Sequence, residues 1–130
     1  MEMIHVMTLH PETIGPADTL AKAKEMMEVG GFRRLPVVKD GALVGMLTER
    51  DLRAHAGYMD STKVSAASHA PVISVHPKST VQDAARLMMR HKIGGLPVLD
   101  CGKLVGIVTS IDLLRAFVEV VDSFERSRLP

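Results

Sequence analysis

Leu43-Val44-Gly45-Met46-Leu47-Thr48-Glu49-Arg50-Asp51-Leu52 is an apolar run that breaks at a threonine, with an aspartate three residues later. An apolar run closed by a capping pair reads as a buried strand entering a helix. The chain repeats it as Leu104-Val105-Gly106-Ile107-Val108-Thr109-Ser110-Ile111-Asp112-Leu113. Working outward, a shift of 61 places lays residues 16–52 on 77–113 without a gap, with identity at 14 of 37 pairs. Pro16/Pro77, Thr19/Thr80, Met27/Met88, Leu35/Leu96, Pro36/Pro97 and Gly41/Gly102 are among them. The period is too long for a solenoid unit and short for two independent domains. It predicts two half-domains sharing one core.

Each half carries the same order of elements. Thr13-Ile14 and Ile73-Ser74-Val75 read as short strands stopped by Pro16 and Pro77, since proline offers no ladder donor. Helices are expected over 20–29 and 81–91, with Thr19 and Thr80 as N-caps and Gly30-Gly31 as a C-terminal stop. Leu35-Pro36-Val37-Val38 and Leu96-Pro97-Val98-Leu99 follow as short strands. Asp40-Gly41 and Cys101-Gly102 turn each back into the opening motif. The second helix is short in the first half and runs to about Phe124 in the second. The expected boundaries are 1–55 and 67–125 for the halves, 56–66 for the connection and 126–130 for a loose tail.

Composition narrows the function. Sixteen basic residues against fifteen acidic ones leave a net charge of +1, so no global field favours nucleic acid. Aromatic residues are 3% of the chain, too few for base stacking. No apolar run approaches a membrane span, and the N-terminus lacks the regions of a signal peptide. One cysteine, Cys101, suits a reducing compartment. A soluble cytoplasmic protein without nucleic-acid or membrane partners is expected. Six histidines stand without i,i+4 or cysteine pairing, so no metal site is expected. No nucleophile elbow, Walker loop or Gly-x-Gly-x-x-Gly occurs, and the chain is expected not to be an enzyme.

Taken in order, Val6-Met7-Thr8 through Thr13-Ile14-Gly15-Pro16, then Gly31-Phe32-Arg33-Arg34-Leu35-Pro36-Val37-Val38, then Gly45–Asp51 resemble one CBS motif, named for cystathionine β-synthase. Pro71–Pro77, Ile93–Leu99 and Gly106–Asp112 resemble a second. The resemblance covers nearly the whole chain. It implies an α+β fold: a tandem CBS pair of two β-α-β-β-α half-domains related by a pseudo-twofold axis, with two symmetric clefts. It also implies a sensor of adenosine-containing ligands that pairs into a homodimer. No cofactor is required, and an adenine nucleotide is the expected regulatory ligand.

A Thr-x-x-Asp at a helix start has an ordinary explanation as a capping box. It also sets a carboxylate and a hydroxyl beside free helix N–H groups, where an anion is favoured. The resemblance gives Thr48, Asp51, Thr109 and Asp112 the ribose and phosphate contacts of a nucleotide. Capping and binding are compatible. Arg33, Arg34 and Arg50 are candidates for the phosphate, with Arg53 on the same side of the short helix as Arg50. The second half has Gly94, Gly95 and Ile111 at the positions of Arg33, Arg34 and Arg50, so the two sites are expected to be unequal. The adenine is expected near Ile14, Leu35, Val75 and Leu96, and Pro36, Gly95 and Pro97 complete the ligand-binding set.

The leading reading is a regulatory module that binds AMP, ADP or ATP first, or another adenosyl ligand such as S-adenosylmethionine or NAD. Its output passes to an unidentified effector protein. A ligand-free dimerisation scaffold is the second reading, supported by the arginines missing from the second half. The stripe Ile111, Leu114, Val118 and Val121 of the last helix either completes the core or meets a second copy.

Overall fold

The computed structural model describes residues 1–129. In the first repeat, helix α1 (Leu20–Gly30) starts where Thr19 Oγ1 accepts from the Lys22 N–H. It stops at Gly31, whose φ of 70° is the left-handed conformation that ends helices. Leu20, Ala23 and Met27 form its buried stripe. Strands β2 (Arg34–Lys39) and β3 (Ala42–Thr48) pair antiparallel, joined through Asp40 and Gly41, both at positive φ. Two successive positive φ values give the turn whose twist suits a hairpin. Helix α2 (Glu49–Arg53) follows, and a one-turn helix α3 (Val64–Ala67) comes after the loop.

The second repeat copies this with α4 (Val81–His91), β4 (Gly95–Asp100), β5 (Lys103–Thr109) and α5 (Ser110–Ser127). Cys101 takes the left-handed place that Asp40 takes in the first turn. A short strand β1 (Thr8–Leu9) precedes both repeats and pairs antiparallel with β5. The strands lie in two sheets, β1-β5-β4 and β2-β3. This is the tandem α+β repeat expected from the sequence.

Two expectations are corrected. Thr13-Ile14 and Ile73–Val75 are not strands; each is a single parallel bridge, Ile14 to Val37 and Val75 to Val98. The Ile14 N–H donates to the Pro36 carbonyl at 3.0 Å, and the Val38 N–H donates to the Ile14 carbonyl at 2.9 Å. Pro36 and Pro97 have no N–H to extend the ladder, so it ends there. The last helix runs to Ser127 rather than to Phe124, because Glu125 and Arg126 are good helix formers and no glycine or proline intervenes. Part of the expected loose tail is therefore helical, and Pro130 lies outside the described residues.

The two compact units do not follow the order of the repeats. One consists of Met1–Leu9 and Ser74–Asp100 with the chain from Val105 onward. The other is His10–Ile73 with the turn Cys101–Leu104. The stretch that leads into each repeat therefore packs on the other one. Met3, in a single 3-10 turn, and Val64, in α3, are both fully buried. The Val64 N–H donates to the Asp18 carbonyl, and 61 positions away the Met3 N–H donates to the Ser79 carbonyl, both at 2.8 Å. Leu20 to Thr62 and Val81 to Met1 repeat the correspondence.

This exchange explains the glycine in the opening motif. Next to Gly106, a Cβ would come within 2.9 Å of the Thr8 carbonyl oxygen and of Met7 Sδ; next to Gly45, within 3.2 Å of the His69 carbonyl oxygen. Only a residue without a side chain lets the exchanged segment approach so closely.

Two outcomes follow. Gly106→Ala should destabilise the protein by about 1–3 kcal/mol, since backbone must shift, and by more than Gly45→Ala; chemical denaturation measures both. Asp18 holds the Gly15 N–H at 2.9 Å and lies 3.3 Å from Lys22 Nζ. The Gly15 hydrogen bond, aided by Lys22 against a burial effect of opposite sign, lowers its pKa from the ordinary 3.8. A lowered folded-state pKa adds stability that is present above the unfolded value and is lost as pH falls through the folded one. Asp18→Ala should therefore cost about 1 kcal/mol at pH 7, with the difference fading in denaturation curves as pH falls below the ordinary carboxylate range.

Candidate functional site

The two Thr-x-x-Asp junctions have nearly the same geometry. Strand β3 delivers Thr48 in extended conformation to the start of α2, where Thr48 Oγ1 accepts from the Asp51 N–H at 3.3 Å. Asp51 Oδ2 accepts from the Thr48 N–H at 2.8 Å and from the Thr48 hydroxyl at 2.9 Å. At the start of α5 the Asp112 Oδ2 distances are 2.8 Å to Thr109 N and 3.1 Å to Thr109 Oγ1. Both are complete capping boxes. Each carboxylate is nearly buried, with Asp51 8% exposed. In both, Oδ2 is committed to the cap and Oδ1 remains for another donor. An ionised carboxylate can accept the two hydroxyls of a diol, so capping leaves half of that capacity in reserve.

What Oδ1 meets differs between the two. In the first copy, His69 Nε2 lies 2.5 Å from Asp51 Oδ1. In the second, among the described residues, the guanidinium of Arg115, itself largely exposed, approaches Asp112 Oδ1, at 3.5 Å. His69 was not among the residues that the sequence singled out. It is 18 positions from Asp51, a separation without periodic meaning. Its backbone pairs with Met46 in both directions at 3.0 Å, and this pairing brings the ring to the junction.

The arginines divide into two groups. Arg33 and Arg53 both reach Glu49, at 3.6 and 3.5 Å, on the exposed surface. With Met27, Phe32, Leu52 and Met59 they line an open hollow of about 760 Å³ that includes neither Thr48 nor Asp51. Arg50 is exposed. Arg34 stands directly opposite Thr48 in the β2–β3 register. It is half-buried, and among the described residues no carboxylate lies within ion-pair distance. Burial, and then the neighbouring Arg33 charge, push its pKa below the ordinary value. Both effects penalise a cation that an anionic ligand would relieve. In the second copy Gly95 takes its place.

Ile14, Leu35, Val75 and Leu96 are buried, and Leu35 and Leu96 have no exposed surface. Pro36, Gly95 and Pro97 are buried as well. The side chains of Ile14, Leu35, Val75 and Leu96 belong to the core. The carbonyls of Pro36 and Pro97 are already bonded to the Ile14 and Val75 N–H groups. Among the described residues, no group of histidine, cysteine, aspartate and glutamate could hold a metal ion, and no helix is long and apolar enough to cross a membrane.

The chain as a whole is similar to known proteins. The CBS domain family matches twice, over residues 3–57 and 64–119. The chain is 39% identical over 110 residues to the CBS domain-containing protein YhcV of Bacillus subtilis, covering 82% of this chain and 79% of that one. Among solved structures, it is similar to the CBS domain pair of protein MJ0100 in complex with 5′-methylthioadenosine and S-adenosyl-L-methionine. That similarity has a TM-score of 0.85 and 26% identity, over 92% of this chain and 97% of that one. It is also similar to CBSX2 in complex with AMP, with a TM-score of 0.82 and 27% identity over the same shares. Two family matches that together span most of the chain, on a fold shared with solved CBS pairs, place it: the protein belongs to the CBS domain family, as a tandem CBS pair.

Proposed function

We propose that this CBS pair is a regulatory module that binds an adenosine-containing ligand, with Asp51 and Asp112 holding the ribose of a molecule at each junction. The observation that carries this reading is that the caps use only Oδ2 of two nearly buried, pre-oriented aspartates and leave Oδ1 to a largely exposed side chain, which a ligand can displace. Thr48 and Thr109 fix those carboxylates through their caps, so little ordering is left for the moment of binding. Arg34 supports a phosphorylated ligand at the first junction, AMP, ADP or ATP before others. Gly95 leaves the second without a matching cation, which suits a less charged adenosyl ligand. Pairs of known structure bound to AMP, and to S-adenosylmethionine with methylthioadenosine, support the same class. Ligand binding acts by favouring one arrangement of the module that an effector protein recognises.

Each single variant Asp51→Ala and Asp112→Ala should weaken nucleotide binding at its own site about tenfold or more, since charge-assisted hydrogen bonds are worth about 1.5–3 kcal/mol. Calorimetry with AMP, ADP, ATP and S-adenosylmethionine measures this. Unchanged affinity in both variants would leave the aspartates as caps only.

The module is also proposed to form a homodimer through α5. Ile111, Leu114, Phe117, Val118, Val121 and Phe124 are between 37% and 63% exposed, a contiguous apolar stripe of the kind that marks an interface. Leu114→Lys combined with Phe117→Glu should convert a dimer to a monomer in sedimentation velocity, with the circular dichroism unchanged. A monomeric wild-type protein at micromolar concentration would count against it.

A further inference from the structure

Among the features outside the two caps, the contact between His69 and Asp51 joins the candidate binding group to a residue with no assigned role. The Asp51 Oδ2 oxygen is committed to Thr48, through its N–H and its hydroxyl. Oδ1 is therefore the oxygen that a ribose hydroxyl would need, and His69 Nε2 lies on it. The His69 side chain is 73% exposed, while its backbone is tied to Met46 by two hydrogen bonds. The ring is thus free to turn away without disturbing the sheet.

The second repeat has no such group. By the 61-residue correspondence, position 69 matches position 8, where Thr8 stands. Thr8 pairs with Ile107 as His69 pairs with Met46, so the backbone is conserved between the repeats and only the side chain differs. Arg115, which among the described residues is the ion-pair partner of Asp112, comes from the same helix, is 67% exposed and sits at a looser 3.5 Å.

We infer that His69 is a built-in competitor for the ribose at the first junction. It fills the hydrogen-bonding position on Asp51 Oδ1 that a ligand must take, and so lowers the affinity of that site relative to what its Arg34 would provide. This rests on the reading that Asp51 binds ribose. Ligand entry there requires His69 to leave, whereas the Asp112 junction needs no such displacement. The histidine thereby sets the relative occupancy of the two sites. Because the histidine side of this pair is 73% exposed, its strength is modest, so removing it should strengthen binding about two- to fivefold rather than by orders of magnitude.

The test uses the full chain in an Asp112→Ala background, which leaves the first junction to be read alone. His69→Thr, which installs the residue of the other repeat, is compared with the parent by calorimetry using adenosine and AMP; thermal unfolding confirms that both are folded. The expected result is a two- to fivefold gain for both probes, abolished when Asp51→Ala is added. Unchanged affinity overturns the inference. A loss confined to AMP also overturns it, since His69 would then be a phosphate contact rather than a competitor. Absence of binding in wild type, parent and His69→Thr alike refutes the ribose reading itself, and the competitor with it. Binding in His69→Thr but not in its parent supports both.

Discussion

Two buried residues, Met3 and Val64, anchor the segments that lead into the repeats, and each does so on the repeat it does not precede. Burying a side chain of this size fully contributes about 1.5–3 kcal/mol relative to leaving it in water. The same backbone hydrogen bonds recur 61 residues apart around each anchor. Neither repeat completes its core with its own sequence alone. Gly45 and Gly106 follow from this constraint, because the incoming segment passes where a Cβ would stand. So does the position of His69, whose main chain is one of the two crossing segments.

The same arrangement produces the difference between the candidate sites. Their caps agree to within a few tenths of an ångström, because a short threonine and a short aspartate three residues apart can close a helix start in only one way. The surroundings come from separate stretches of chain, which have diverged. The first junction has the half-buried Arg34 across the sheet and His69 from the crossing segment. The second has Gly95 and Thr8 at those positions. One junction therefore combines a half-buried arginine with a carboxylate held by His69, and the other has Gly95 in place of that arginine and a carboxylate met by the exposed Arg115.

Helix α5 adds a further asymmetry. The first repeat ends in five-residue α2, whereas the second continues for eighteen residues. Within α5 only Ala116 is buried. Its apolar side chains are thus not explained by the core of their own unit, and this exposure is the basis of the proposed dimer.

Repetition, the capping pairs, the hairpin turns and the long final helix were all legible in the sequence. They depend on local chemistry: hydroxyl and carboxylate spacing, glycine at positive φ, and apolar periodicity. Family membership was legible for the same reason, since the motifs that carry it are short and occur in order, twice. The tertiary structure decided what depends on distant contacts. It reduced the first strands to single bridges, because prolines in their partners offer no N–H. It exchanged the lead-in segments, a step invisible to a correspondence that begins only at residue 16. It separated Arg34 from Arg33 and Arg53, three side chains equal in sequence but unequal in burial and partners. And it brought His69 to Asp51 across 18 residues, where chain spacing carries no information and only the pairing with β3 brings the two together.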